Sequence, residues 1–380
     1  MPRLIQVALR PRKPPKPFID EHDLFRKPEC HFSGPCSLRL RAGLIWAFSP
    51  AMTAPLPTRV AKPDAAAIAD AVRILAAGGL VAFPTETVYG LGADATNGAA
   101  VARLYEAKGR PAFNPLIAHV PDRAAAQALA AFDADAARLA DAFWPGPLTL
   151  VLPKAVKCTV AELATAGLDS IAVRVPDHAV AQKILAGLGR PVVAPSANRS
   201  GHVSPTTAAH VLADLGGRVD LIVDGGASPV GVESSIVACL GAPMLLRPGG
   251  TPRQLIQRAL GKVLADPPSG ISAADEAPLA PGMLASHYAP RTPLRLAIKN
   301  VEAGEALLAF GPALVADVER AARVLNLSER GDLIEAAANL FSHLRALDAA
   351  GATAIAVMPI PQDNLGEAIN DRLVRAASPH

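Results

Sequence analysis

The sequence has few of the features that define several common protein classes. Its 380 residues contain four cysteines and no C-x-x-C pair: Cys30, Cys36, Cys158 and Cys239. So little cysteine excludes a disulfide-stapled scaffold and predicts a reducing, cytoplasmic environment. The chain also has no G-x-G-x-x-G fingerprint and no Walker A sequence, which excludes an obvious dinucleotide or P-loop site.

Long apolar runs are also missing, although the mean hydropathy is positive at +0.27. A membrane-spanning helix needs roughly 18 consecutive uncharged apolar residues, and the chain has no such run. Alanine supplies much of the 51% hydrophobic content. The sequence therefore predicts no membrane segment and no membrane partner.

The net charge of +3 is unevenly distributed along the chain. The first fifty residues carry nine Lys and Arg against four Asp and Glu, so the remaining 330 residues have a net charge of −2. A near-neutral globular part is not typical of a general nucleic-acid binder. Residues 1–51 are basic and rich in proline without a sustained period, and we expect them to be a disordered extension that precedes the true start at Met52.

From Ala65 onward, helical and strand patterns alternate. Segments of helical period at 98–108, 178–187 and 206–215 stand between short apolar strands, a pattern typical of an α/β domain. We predict one such domain over residues 60–260 and a second, smaller α/β domain over 294–378. Residues 261–293 carry Pro, Gly, Ser and Ala with little periodicity and are expected to be a linker.

Four cations stand where predicted helices or strands end: Lys108, Arg110, Arg174 and Arg247. Open α/β sheets bind their ligands at such ends. Each cation also has a structural explanation. A late lysine complements a helix dipole, Arg174 in its apolar strand can pair with an internal acid, and Arg247 before Pro248 and Gly249 can be a surface turn residue. Taken together, with hydroxyl groups between them in the sequence, they predict a site for a polyanion and a polar ligand the size of an amino acid.

A loop rich in hydroxyl groups follows the predicted strand at 191–195. Ser196 and Asn198 begin it, and Ser204 and Thr206 precede the predicted helix at 206–215. The start of a helix binds phosphate well, but serine and threonine are also its ordinary caps. Both interpretations stay open for Ser204 and Thr206.

Five motifs occur in an order that resembles the YrdC-like domain of threonylcarbamoyl-AMP synthases: PTETVYGLGADA, KGRPxxNPL, PSANxSG, GxESS and RPG. The linker motif SHYAP (286–290) and the tail motif AINDRL (368–373) resemble the long form of that enzyme, which has an extra C-terminal domain. The resemblance covers about residues 60–378. It implies a YrdC-like twisted mixed open sheet with a large cleft, followed by a smaller Rossmann-like α/β domain.

The resemblance also implies an activity, which is L-threonylcarbamoyladenylate synthesis from L-threonine, bicarbonate and ATP, with release of pyrophosphate. Such an enzyme is a nucleotidyltransferase whose product serves the tRNA threonylcarbamoyl-transfer machinery. The expected cofactor is Mg²⁺ bound to ATP, with no metal held by protein side chains. Whether tRNA itself binds directly stays open.

Residue roles follow from the same resemblance. The residues expected to be catalytic are Lys108, Arg110, Ser196 and Asn198. Those expected to bind ATP are Lys108, Arg110, Asn114, Ser170, Asn198, Ser204, Thr206, Arg247 and Tyr288. Those expected to bind L-threonine are Thr87, His119, Arg174, Ser196 and Ser234, with Arg174 as the carboxylate clamp. Phe113 departs from the family pattern, where a small or polar residue is usual.

The linker has a predicted role of its own. A mixed anhydride hydrolyses readily, so a site that makes one gains from excluding water. We expect residues 261–293 to form a lid that places Tyr288 against the adenylate, although Tyr288 could instead pack the two domains together.

Two other functions stay open at this point. One is a double-stranded-RNA-binding module, which the −2 charge outside the extension disfavours. The other is a nucleotide-binding regulatory protein without turnover.

Overall fold

The larger part of the computed structural model is built on one mixed sheet of ten strands. The structure describes residues 57–267, 288–313 and 315–378. The strands are β1 (Arg59–Ala61), β2 (Val81–Pro84), β3 (Tyr89–Asp94), β4 (Ile117–His119), β5 (Leu148–Pro153), β6 (Ser170–Arg174), β7 (Val192–Val193), β8 (Leu221–Val223), β9 (Ser235–Ala238) and β10 (Met244–Arg247). Their order is β1-β8-β2-β3-β7-β4-β6-β5-β9-β10. The predicted extension 1–51, most of the predicted linker and His287 lie outside the described residues.

Helices cover this sheet and begin at caps that the sequence provides. They are α1 (Ala65–Ala76), α2 (Gly98–Lys108), α3 (Arg123–Leu129), α4 (Ala134–Phe143), α5 (Ala179–Leu188), α6 (Ala208–Leu215) and α7 (Arg253–Leu260). Asp64 and Asn97 accept hydrogen bonds from the first turns of α1 and α2. Gly109 ends α2 with a φ of 60°, the left-handed conformation that glycine adopts without strain. We call residues 57–267, which contain this sheet, the large lobe.

A four-stranded parallel sheet organises the rest of the described chain, which we call the small lobe (residues 288–313 and 315–378). Its strands are β11 (Leu294–Arg295), β12 (Ala306–Ala309), β13 (Arg323–Asn326) and β14 (Ile355–Val357), in the order β11-β14-β12-β13. Its helices are α8 (Leu333–Asp348) and α9 (Gly366–Ala377). A mixed sheet followed by a smaller parallel α/β unit confirms the predicted fold class.

The two lobes share one apolar cluster. Val88, Val203 and Val232 of the large lobe pack with Phe341 and Leu344 of α8. Gly231 has no room for a side chain, because an added Cβ would lie 2.2 Å from the Ala337 carbonyl oxygen. Helix α8 therefore lies directly against the segment that precedes β9.

Two strands differ from what the pattern predicted. Consecutive strands at 219–224, 234–240 and 243–247 have no helix between them, which predicts antiparallel pairs. This is confirmed for β9 and β10 and wrong for β8, which pairs in parallel with β1 and β2. Strand β3 was not predicted, because its glycines weaken the β pattern. Those glycines allow close strand contact, since a Cβ on Gly92 would lie 2.6 Å from the Phe83 ring.

No helix among the described residues is long and apolar enough to cross a membrane.

Candidate functional site

A pocket opens where several strands of the large lobe end, and Tyr288 of the small lobe forms part of its wall. Its lining residues are Thr87, Val88, Arg110, Ile117, His119, Arg174, Ala194, Pro195, Ser196, Glu233, Ser234, Arg247 and Tyr288. Three arginines stand against one carboxylate in this set, so the wall carries a positive charge that suits a polyanion.

Arg174 and His119 lie side by side because β4 and β6 pair in parallel and these residues end the two strands. Arg174 donates from Nη2 to Glu86 Oε1 at 2.6 Å and from Nε to the Gly146 carbonyl at 3.2 Å. Burial and the Arg174 charge lower the pKa of His119 to about 3, so its ring is neutral near pH 7. The predicted carboxylate clamp therefore lines the pocket and also makes the internal ion pair that was its structural alternative.

Lys108 ends α2 and reaches into the loop that follows β7. Its Nζ donates to the Ser196 carbonyl at 2.5 Å and to the Asn198 carbonyl. The residue is 3% exposed, and burial together with the Arg110 charge lowers its pKa well below the ordinary lysine value. Lys108 thus fixes the loop of residues 195–198, which we call the PSAN loop, and its amine lies beside the Ser196 backbone at the pocket.

Arg110 and Asn114 belong to the turn between α2 and β4. The Arg110 guanidinium donates to the carbonyls of Asn114 and Pro115, at 3.4 and 3.1 Å. Burial is the largest of the effects that lower the pKa of Arg110 to about 10, so its guanidinium is charged near pH 7. Both polar atoms of the Asn114 side chain are buried without a hydrogen-bond partner, an arrangement that a bound ligand would satisfy.

The PSAN loop contributes Ser196 and Asn198. Ser196 lines the pocket, whereas Asn198 Nδ2 donates to the carbonyls of Arg199 and His202 and fixes the loop. Asn198 Oδ1 is buried and has no hydrogen-bond partner. A ligand donor at this oxygen would complete its hydrogen bonding.

Ser204 and Thr206 have protein partners of their own. Ser204 donates to Glu233 Oε1 at 2.5 Å, and Thr206 Oγ1 lies 2.9 Å from Ser342 Oγ of α8. Neither caps α6, because Thr207 does so by accepting from the His210 N–H. The capping interpretation of Ser204 and Thr206 is therefore wrong.

The GVESS segment (residues 231–235) and Arg247 form a further part of the pocket wall. Arg247 donates from Nε and Nη2 to the Ser234 carbonyl, at 3.2 and 2.9 Å. Ser234 Oγ lies 2.8 Å from Thr149 Oγ1 of β5. These bonds tie the hairpin of β9 and β10 to the neighbouring strand and fix the position of both side chains.

Tyr288 is 1% exposed and has a positive φ of 65°. Its ring stacks on Phe341 at 5.7 Å between centroids, and the Arg372 guanidinium lies 5.0 Å from its centroid. Tyr288 therefore packs in the small lobe and also faces the pocket, so the two interpretations of this residue are compatible. Its contact with an adenylate stays a prediction.

The structure brings together eight of the predicted site residues as pocket lining: Thr87, Arg110, His119, Arg174, Ser196, Ser234, Arg247 and Tyr288. The other six predicted residues do not line the pocket. Five of them lie at the end of α2 or in the turns and loops described above: Lys108, Asn114, Asn198, Ser204 and Thr206. The sixth, Ser170, begins β6 at the end remote from Arg174. Phe113 is 50% exposed and likewise does not line the pocket. The roles of all these residues stay predictions.

Sequence reasoning gave no role to Glu86, Glu233 and Arg372. The two glutamates are buried and paired with arginines, Glu86 with Arg174 and Glu233 with Arg372. Arg372 itself could have been found, because it falls on the apolar stripe of α9 with Ile369 and Leu373. No group of three or more His, Cys, Asp or Glu side chains that could hold a metal ion occurs within the described residues.

The fold and the site define a class of two-lobed α/β proteins. Such a protein has a cationic pocket at the strand ends of a mixed sheet, and a smaller α/β lobe completes that pocket. A family described as "Telomere recombination" matches residues 73–249, and one described as "Threonylcarbamoyl-AMP synthase, C-terminal domain" matches residues 252–378.

Curated relatives agree with these matches. The threonylcarbamoyl-AMP synthase of Bacillus subtilis is 41% identical over 323 residues, which cover 82% of this chain and 92% of the relative. That of Pyrococcus abyssi is 42% identical over 318 residues, covering 79% and 91%. The crystal structure of P. abyssi Sua5 complexed with L-threonine matches with a TM-score of 0.75 at 37% identity, covering 85% of this chain and 97% of that one. The chain belongs to the threonylcarbamoyl-AMP synthase family, in its long, two-domain form.

Proposed function

We propose that the chain condenses L-threonine, bicarbonate and ATP into threonylcarbamoyl-AMP and pyrophosphate. The observation that carries this proposal is the convergence of Arg110, Arg174 and Arg247 on one pocket at the ends of the large sheet. A carbamate and a triphosphate are both anions, and two anions react only where their charges are neutralised and their atoms aligned.

The reaction needs no nucleophile from the enzyme. The threonine amine and bicarbonate give a carbamate with loss of water, a carbamate oxygen attacks the α-phosphorus of ATP, and pyrophosphate leaves. Protein groups that fix both substrates and stabilise the charge of the transition state are sufficient for this chemistry.

Threonine lies at the end of the pocket formed by β4 and β6. Arg174 binds its carboxylate through the guanidinium N–H groups not used by Glu86 and Gly146. The neutral ring of His119 and the hydroxyls of Thr87, Ser196 and Ser234 supply the remaining polar contacts. Among these residues, Arg174 makes the largest contribution because it alone carries a charge opposite to the carboxylate.

ATP lies at the end of the pocket formed by the α2 turn and the PSAN loop. Lys108, Arg110 and Arg247 neutralise the phosphates, while Asn114 and Asn198 supply buried amide groups, three of whose atoms have no protein partner. Mg²⁺ arrives as the complex with ATP, held by phosphate oxygens and water. This fits the pocket wall, where Glu233, the one carboxylate among the described lining residues, already binds Ser204 and Arg372.

Pyrophosphate release tests the proposal. The purified chain is expected to release pyrophosphate only when ATP, L-threonine and bicarbonate are all present, because no anhydride forms without the carbamate. Mass spectrometry should detect threonylcarbamoyl-AMP in the same reaction. Tight binding of double-stranded RNA or of ATP without any turnover would favour the RNA-binding or regulatory alternative instead.

The partners beyond the substrates follow from the product. An activated threonylcarbamoyl group needs a transferase that accepts it, and the tRNA threonylcarbamoyl-transfer machinery is the proposed consumer. Direct contact with tRNA and a cytoplasmic location remain proposals of the same kind.

Tyr288→Ala is expected to uncouple ATP consumption from product recovery. The ring closes one side of the pocket, so its loss should admit water to the mixed anhydride. The measurement is the ratio of intact threonylcarbamoyl-AMP to ATP consumed, which should fall for this variant. Tyr288→Phe keeps the ring against Phe341 and is the matched control, with a ratio close to that of the parent. An unchanged ratio for the folded alanine variant would show that the ring serves packing alone.

A further inference from the structure

Arg372 is a fully buried cation in the last helix of the small lobe. Its side chain is 0% exposed, although α9 ends the described part of the chain and lies far from the large sheet in sequence. A cation taken out of water needs compensation from acids or from a ring face. Its partners therefore indicate what the residue does.

Those partners belong to the wall of the pocket. Arg372 Nε donates to Glu233 Oε2 at 2.7 Å, across 139 residues of sequence. The same guanidinium lies over the ring of Tyr288, with its Nη1 on Asp371 at 2.5 Å. Glu233 and Tyr288 both line the pocket, whereas Arg372 does not, so Arg372 supports the wall from behind.

The charge of Glu233 makes this support important. Burial alone would raise the pKa of its carboxyl, but the charges of Arg372 and Arg247 and the Ser204 hydrogen bond hold that pKa below its usual value. The group is thus an anion in the wall of a site that we propose binds a triphosphate. At short range in a buried site, an uncompensated carboxylate would repel the phosphates strongly.

We propose that Arg372 is a positioning residue of the active pocket, which neutralises Glu233 so that the small lobe is required for ATP binding. The inference rests on the proposed function, because it concerns the ATP end of the same site. It gives the C-terminal lobe a role in the reaction beyond the packing of α8 against the large lobe.

The experiment combines a single and a double variant. Arg372→Met keeps most of the side-chain volume without the charge, and it should raise the KM for ATP by at least about tenfold while changing the KM for threonine much less. Adding Glu233→Gln removes the uncompensated carboxylate, so the double variant should return the KM for ATP to within about threefold of that of Glu233→Gln alone. A role in packing alone would not be rescued by the second change.

Glu367→Gln is the matched control. Glu367 lies on the same helix and pairs across the lobes with Arg253 at 2.7 Å, but it does not line the pocket. This variant should keep the parental KM for ATP. If Arg372→Met does not fold, Arg372→Gln, which keeps a donor toward Glu233 without the charge, takes its place with the same expected rise.

Three results would overturn the inference: an unchanged KM for ATP in the single variant, no rescue in the double variant, or an equal rise in Glu367→Gln. Failure of the proposed function is a separate result, because it would appear as a parent chain that releases no pyrophosphate.

Discussion

Replacing Lys108 by alanine is expected to lower kcat/KM for ATP by about 10²–10³-fold, with a much smaller change in the KM for threonine. The ammonium group has three donors, and two of them hold the Ser196 and Asn198 carbonyls. The third can donate to a phosphate oxygen. Loss of Lys108 would therefore remove a charge from the phosphate site and release the PSAN loop, and steady-state kinetics with each substrate varied in turn would measure both effects.

Lys183→Ala in α5 is the control, because it removes an exposed lysine that is not among the pocket-lining residues. It should behave as the parent does. Equal losses toward ATP and threonine in Lys108→Ala would contradict the division of the pocket into two ends.

The same lysine predicts a pH dependence. A lysine is charged below its pKa, and burial lowers the pKa of Lys108 well below 10.5. The KM for ATP of the parent should therefore rise with increasing pH before an ordinary lysine titrates. Lys108→Arg, which stays charged, should move this rise to higher pH if it folds as the parent does.

The cations of the site could be predicted from sequence because each stands where a charge is costly or where an element ends. Arg174 interrupts the apolar run of residues 171–176, and Lys108 and Arg110 flank the glycine that ends α2. Both are local signals that need no knowledge of the fold. These signals are sufficient for Arg110 and Arg174, which line the pocket, whereas the polar residues of the lining came from the family resemblance.

The acids could not be predicted in the same way because their partners are remote. Glu86 meets Arg174 across 88 residues and Glu233 meets Arg372 across 139, so no spacing in the sequence relates them. Ser204 shows the same limit, since its hydroxyl bonds to Glu233 rather than to the nearby helix. Such pairs exist only once the sheet order brings distant segments together.

The apolar pattern also overestimates the length of the strand after α5. The strand predicted at 191–195 is only Val192–Val193, because Pro191 and Pro195 have no N–H to donate to a sheet neighbour. The apolar pattern counts proline as apolar and takes no account of its missing N–H donor. In the structure, the short strand lets the chain turn early into the PSAN loop, which places Ser196 in the pocket.

Arg174→Ala should raise the KM for threonine by about 30- to 1,000-fold, equivalent to roughly 2–4 kcal/mol, and affect ATP much less. A guanidinium that binds a carboxylate has no substitute among the neutral groups around it. The variant also leaves the buried Glu86 carboxylate without its partner, and breaking a buried pair typically costs about 3–5 kcal/mol of stability. Lost activity in this variant alone could therefore come from either cause.

The double variant Arg174→Ala, Glu86→Gln separates the two causes. Removing both charges leaves no uncompensated carboxylate, so thermal unfolding should return toward that of the parent. Threonine use should not recover, because the clamp for the substrate carboxylate is still missing. This is the opposite of the outcome expected for Arg372 and Glu233, where removing the acid restores ATP binding. If the double variant regained the parental KM for threonine, Arg174 would serve only the internal ion pair, and the threonine carboxylate would bind elsewhere in the pocket.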